Sequence, residues 1–344
     1  MPFMASFVFD SAKYLSEEDS AIAQAPATVS VLEEYEEQLS RSRLRLKFSD
    51  SKNRLLDAIL KDDYAMMSTN NALLGETHGG FLGPLKNLLQ ANLGVYFSQG
   101  KMVCTTHIAL LDLGLDDETL TTTSLDDLGP YLHDRSEGYG QYMGLLMRSL
   151  GVEAPVEVST NSITVTPLGY RDLKGKRFYE SMARQVSPLE PSVGLRLMAI
   201  LARINTARII APQVASADSV ATFKIQFLSL FHAASCLDDL LQEERGGRFL
   251  HNDAIDQICT VLGTDAVARV RGHYHLRNVL VHYRVAKRRR HLLSTNLPLS
   301  GLVEAHTDGA SRTAIASDVE VGLASVAAGL GSLMPRTLTP RGTL

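Results

Sequence analysis

The chain has 344 residues, 45% hydrophobic and 21% charged, enough to bury one large core or two ordinary ones. A formal net charge of −4 gives no global attraction to nucleic acid, so any such affinity has to come from a local concentration of cations. Cys104, Cys236 and Cys259 are odd in number and form no CxxC, which argues against a disulfide framework or a cysteine-held zinc and fits a reducing cytoplasm.

Residues 1–27 read as a lead-in ending in Ala25-Pro26-Ala27. Phe7-Val8-Phe9 is followed at once by Asp10, without the basic start and long apolar core of a signal peptide. Thr28 or Ser30 can cap a helix to about Leu46, which carries the acidic run Glu33-Glu34-Tyr35-Glu36-Glu37 and a Glu37–Arg41 pair in the favourable order. Leu55, Leu56, Ile59 and Leu60 predict a second helix over Ser51 to Met67. The glycine-rich stretch Gly75-Glu76-Thr77-His78-Gly79-Gly80 reads as a plain connection. Pro84 suits the first turn of a third helix, with a stripe of Leu85, Leu88, Leu89, Leu93 and Tyr96. Helices are also expected over Val103 to Leu113 and Ser136 to Leu150. Around Val156 to Val165 the period drops to two, with Ser159 to Ser162 as a turn, which predicts a small β-hairpin.

Ser187-Pro188-Leu189-Glu190-Pro191 is the natural boundary between residues 1–185 and a second part over 190–335, with 336–344 as a tail. Beyond it, a helix is expected over Ser192 to Ile210. Another, capped by Ser216 or Asp218, buries Phe223, Phe227, Leu230, Phe231 and Leu237 and stops at Gly246-Gly247. A shorter helix follows over Asn252 to Leu262, then one opening at Asp265 and running through residue 282, and a last one over Ser311 to Leu333. No stretch approaches the roughly 20 apolar residues of a membrane span. The fold class is mostly α: a C-terminal helical bundle preceded by a helical N-terminal region with a small hairpin.

One stretch suggests a chemistry. Leu276-Arg277-Asn278-Val279-Leu280-Val281-His282 sets an arginine, an amide and an imidazole into a run otherwise fit for a core. Asn278 and His282, four apart, share a helix face, with Arg277 one step round. Imidazole exchanges protons near neutral pH, and guanidinium holds phosphate and stabilises charge on its oxygens. These groups suffice for attack of a ribose 2′-hydroxyl on the neighbouring phosphate without a metal or cofactor. The same residues would also serve as a polar seam without chemistry. Arg284, Lys287, Arg288, Arg289 and Arg290 follow directly and can track an RNA backbone, or simply form a solvated helix end. His273, one turn upstream, can line the same groove. Gly272 beside it either allows close packing or marks a kink, and Asp238, Asp239, Glu243 and Glu244 are acids able to pair with Arg277 or to steady His282.

Arg277-Asn278 followed by three residues and His282 resembles the signature of the HEPN superfamily, an arginine, four to six residues and a histidine, with a polar residue commonly after the arginine. With the asparagine required at one spacing, chance alone gives such a match in roughly 2% of chains of this length, so Asn278 carries most of the resemblance. It covers residues 190–335 at most. It implies a dimerising helical bundle in which two facing motifs form one metal-independent endoribonuclease site, with functions in defence, as toxins or in RNA processing. Arg277 would contact the scissile phosphate, Asn278 would support it, and His282 would be the general base or acid. The toxin branch carries a tyrosine two positions after the histidine, whereas here Tyr283 follows directly and Arg284 stands second. The expected partners are therefore RNA, a second copy of the chain, and a regulatory protein or antitoxin. The alternative is a non-catalytic HEPN-like module that binds RNA or dimerises.

Overall fold

The structure is a computed structural model describing residues 93–112, 130, 133–134, 137, 168–187, 191–214, 219–247, 250–282, 287–293, 296–297 and 301–335. The described part is mostly helical, with one small sheet. The helices expected over residues 28–46, 51–67 and 136–150, the 75–80 loop and the 156–165 hairpin lie wholly or largely outside the described residues.

Strands β1 (Leu93–Ser98) and β2 (Lys101–Thr105) form an antiparallel hairpin, and β3 (Gly169–Leu173) pairs antiparallel on the other side of β1. This corrects the helical expectation for Leu93 and Tyr96 and for the start of the Val103 segment. The physical reason is local. Gln99 and Gly100 take φ of 49° and 71°, as a two-residue turn with both central residues left-handed requires. Leu93, Val95 and Phe97 then alternate into the core while Gly94 and Tyr96 are only half-buried. Helix α1 (Thr106–Asp112) follows β2 directly.

Helix α2 (Gly175–Val186) leads to α3 (Pro191–Asn205), which continues through a π-helical stretch, Thr206–Ile210, into the short α4 (Ala211–Val214). Pro212, inside α4, lacks the N–H that a regular turn needs, and its ring crowds the carbonyl four residues back. The turn before it is widened, and the Ala211 N–H reaches the Thr206 carbonyl five residues back. The side chains of Asn205 and Thr206 donate to the β2 carbonyls of Met102 and Val103 at 2.9 and 2.8 Å, tying the sheet to the bundle. One hydrophobic cluster runs from Leu93 to Met334, through both sides of the Ser187–Pro191 segment.

Helix α5 (Val220–Gly247) is led by Ser219, whose hydroxyl accepts from the Thr222 N–H at 3.1 Å. Next come α6 (Asn252–Leu262), α7 (Asp265–Gly272), α8 (Tyr274–His282), a 3₁₀ helix (Lys287–Leu292), α9 (Leu302–His306) and α10 (Arg312–Ser332). Helix α10 packs on α3, α5, α6 and α7. By length and composition alone α5 and α10 could each cross a membrane, with mean hydropathy of 1.3, a test that core helices also pass; here they pack against each other.

Gly322 and Gly329 set the approach of α10. A Cβ on Gly322 would overlap Leu230 of α5, and one on Gly329 would overlap Val261 of α6. Gly331, two residues further on, faces open space. Gly329→Ala is therefore expected to lower stability, the overpacking of about 1–3 kcal/mol outweighing the roughly 1 kcal/mol helical gain. Gly331→Ala should be neutral or stabilising. Chemical denaturation of both variants checks this.

His107, at the start of α1, is 1% exposed; its Nδ1 lies 2.6 Å from the Tyr179 hydroxyl and the two rings stack. Burial pulls its pKa from 6.5 down to about 4. Between those values the unfolded chain holds a proton that the folded chain refuses. The neutral ring's contribution is thus complete above pH 6.5 and is lost as pH falls toward 4. Unfolding free energy measured against pH should fall more steeply below 6.5 for the wild type than for His107→Gln, by up to about 1.4 kcal/mol per pH unit.

Candidate functional site

The segment opening at Asp265 is not one helix. It breaks at His273, whose φ and ψ of −85° and 50° are not helical. The His273 N–H donates to the Val270 carbonyl at 3.1 Å, closing α7, and its carbonyl accepts the Arg277 N–H at 3.0 Å, opening α8. Nothing lies near the Cβ position of Gly272, so the break, rather than close helix approach, is what the glycine accompanies. Arg269 of α7 clips Asp318 of α10 through two hydrogen bonds, of 2.9 and 2.6 Å. The half-buried His273 imidazole lies in the field of Asp318 and Asp308; burial holds its pKa below the usual value despite those two acids.

Leu276, Val279 and Leu280 bury one side of α8. Arg277 sits at the margin of that side and is only 8% exposed. Its Nη1 donates to the side-chain Oδ1 of Asn278 at 2.8 Å, while its buried Nε has no hydrogen-bond partner. Among the described residues no carboxylate pairs with this guanidinium. Two of the four acids expected nearby are engaged elsewhere: Asp238 pairs with Arg271 at 2.8 Å and Glu244 accepts the Leu250 N–H at 2.8 Å. At about 100° per residue, Asn278 lies between Arg277 and His282 around the axis, and His282 lies one turn after Asn278. His275, seven residues before His282, falls on nearly the same line as His282 and is exposed.

The basic run does not prolong α8. Lys287, Arg288, Arg289 and Arg290 lie on the separate 3₁₀ helix, while Arg284 lies outside the described residues. Arg288 is exposed. Arg289 is half-buried, and its Nη1 donates to the carbonyl of Ala305 on α9. That contact brings in His306, which stands alone between the expected helices and so carries no motif in the sequence. His306 is 7% exposed and its Nδ1 is 2.9 Å from the Leu302 carbonyl, so Nδ1 carries the proton.

Among the described residues no three His, Cys, Asp or Glu side chains gather as a metal-binding group. An open groove of about 570 Å³, lined by Arg184, His251, Asp253 and Met334 among others, contains none of the motif residues. Comparison of the chain with protein-family models, curated proteins and solved structures found no match.

A buried cation without a counter-ion is unfavourable, and replacing it by an apolar side chain of similar length commonly stabilises. Arg277→Met should therefore fold with unchanged or raised stability, by up to about 2 kcal/mol, in a thermal or denaturant melt. Marked destabilisation would instead make Arg277 a structural residue.

Proposed function

We propose that this protein is a metal-independent endoribonuclease of HEPN type. The observation that carries the reading is the Arg277 guanidinium: nine-tenths buried, held by Asn278, with an orphan Nε and no carboxylate among the described residues to neutralise it. Such a group is suited to an anion supplied from outside, and a phosphodiester matches its planar donors. The resemblance of Arg277-Asn278 and His282 to the family's motif names the reaction.

In this reading His282 accepts the proton of the ribose 2′-hydroxyl, whose oxygen attacks the adjacent phosphorus. Arg277 neutralises the charge growing on the phosphoryl oxygens, and Asn278 fixes the guanidinium's orientation. The P–O5′ bond breaks and the leaving oxygen takes up a proton, from the histidine of the facing subunit in a composite dimer site. The products are a 2′,3′-cyclic phosphate and a 5′-hydroxyl. The cations of residues 284–290 contact backbone phosphates and so add affinity with little sequence choice. A role in cytoplasmic defence or as a toxin, with a regulatory partner or antitoxin, belongs to the same proposal.

Cleavage of total cellular RNA in the presence of EDTA tests it, comparing wild type with Arg277→Ala and His282→Ala. Wild type should cleave, and each variant should lose about 100-fold or more. Equal cleavage by all three would sink the assignment of these residues. RNA binding by wild type without cleavage would favour the non-catalytic module.

A further inference from the structure

Helix α9 carries His306, α8 carries His275 and the 3₁₀ helix carries Arg289. Helix α9 packs on both of the others. Arg289 is pinned to α9 by its bond to the Ala305 carbonyl, one residue before His306. His306 is buried, and its Nδ1–H is committed to the Leu302 carbonyl, which leaves Nε2 as the ring atom able to meet a ligand. Arg289 and His275 both disfavour the protonated form of His306, while Glu304, two residues before it on α9, has its Oε1 committed to the Arg312 N–H. His275 stands on the α8 surface about 10 Å along the axis from His282 and on nearly the same line.

We propose that His306, His275 and Arg289 form a phosphate-binding subsite that holds an RNA backbone phosphate upstream of the one placed on Arg277. The assignment to RNA rests on the ribonuclease reading; the anion site itself does not. Burial, with Arg289 and His275 adding to it, keeps His306 neutral near pH 7 when the subsite is empty. A bound anion offsets the positive field of Arg289, so the imidazole takes up a proton more readily as the anion enters. Anion binding is therefore tighter at lower pH. Arg289 supplies a permanent charge in a planar fork, and His275 closes the solvent side.

The first arm of the test uses inorganic sulfate, a phosphate-shaped dianion whose charge stays constant between pH 6 and 8. It is titrated into the full chain at both pH values while the imidazole resonances of His306, assigned by their loss in His306→Gln, are followed by NMR. A saturable shift is expected, several-fold tighter at pH 6, and weakened about tenfold in Arg289→Gln and in His275→Ala. His275 is exposed, so His275→Ala tests the subsite without disturbing the core. No saturable shift, or equal affinity in both variants and wild type, overturns the subsite. The second arm measures cleavage of a short oligoribonucleotide, in which His275→Ala should raise KM about tenfold with kcat little changed. An unmoved KM overturns the assignment to RNA. Sulfate binding as expected in a chain that does not cleave RNA would retain the anion site and remove the ribonuclease reading.

Discussion

The close approach of α10 to α5 and α6 is the constraint on which the rest of the described structure depends. Gly322 and Gly329 leave no room for a methyl group against Leu230 and Val261. Interiors packed at crystal density transmit such a restriction rather than absorb it. Helix α10 also touches α3 and α7, so its position fixes four neighbours at once. The Arg269–Asp318 bridge then fixes α7 against α10. Exposed pairs of this kind add little stability, and its value here is orientation. The chain turns at His273 immediately afterwards, and that turn decides which side of α8 meets the core.

Helix α8 buries Leu276, Val279 and Leu280, and the arginine at the margin of that side is buried with them. A desolvated guanidinium is tolerated when something external completes it, and natural sites commonly give up stability for such readiness. Asn278 satisfies one donor and points the group, yet brings no charge. His306 is likewise buried on α9, and Arg289 is bonded to the carbonyl of the residue before it.

Several elements were legible in the sequence because their signals are local. The helices from Ser219 to Leu262 and from Ser311 to Leu333 follow their apolar periodicity, their glycine stops and, for α10, the Ser311 cap, whose hydroxyl accepts the Ala314 N–H. The strands were not, because Leu89, Leu93 and Tyr96 also fit a helical stripe. The Gln99-Gly100 turn that overrides that stripe is a single dipeptide. Short apolar runs satisfy both periods, and pairing with β3, more than sixty residues away, is what selects the strand. His107 likewise gave no signal, since its burial depends on Tyr179 of α2, 72 residues on.

By itself the sequence determined the mostly helical class, the main helix positions beyond residue 190, and the arginine–asparagine–histidine pattern that suggests a reaction. All of these follow from spacings within one or two turns, where the backbone's period alone places side chains on a common face. Tertiary structure alone decided that Arg277 is buried with no carboxylate pairing with it among the described residues, that Asp238 is spent on Arg271, and that Arg289 of the 3₁₀ helix bonds to α9 next to His306. Those facts depend on which elements pack against which. Packing is set by the summed volumes of distant side chains, above all the two missing methyl groups on α10, and no local spacing encodes that sum.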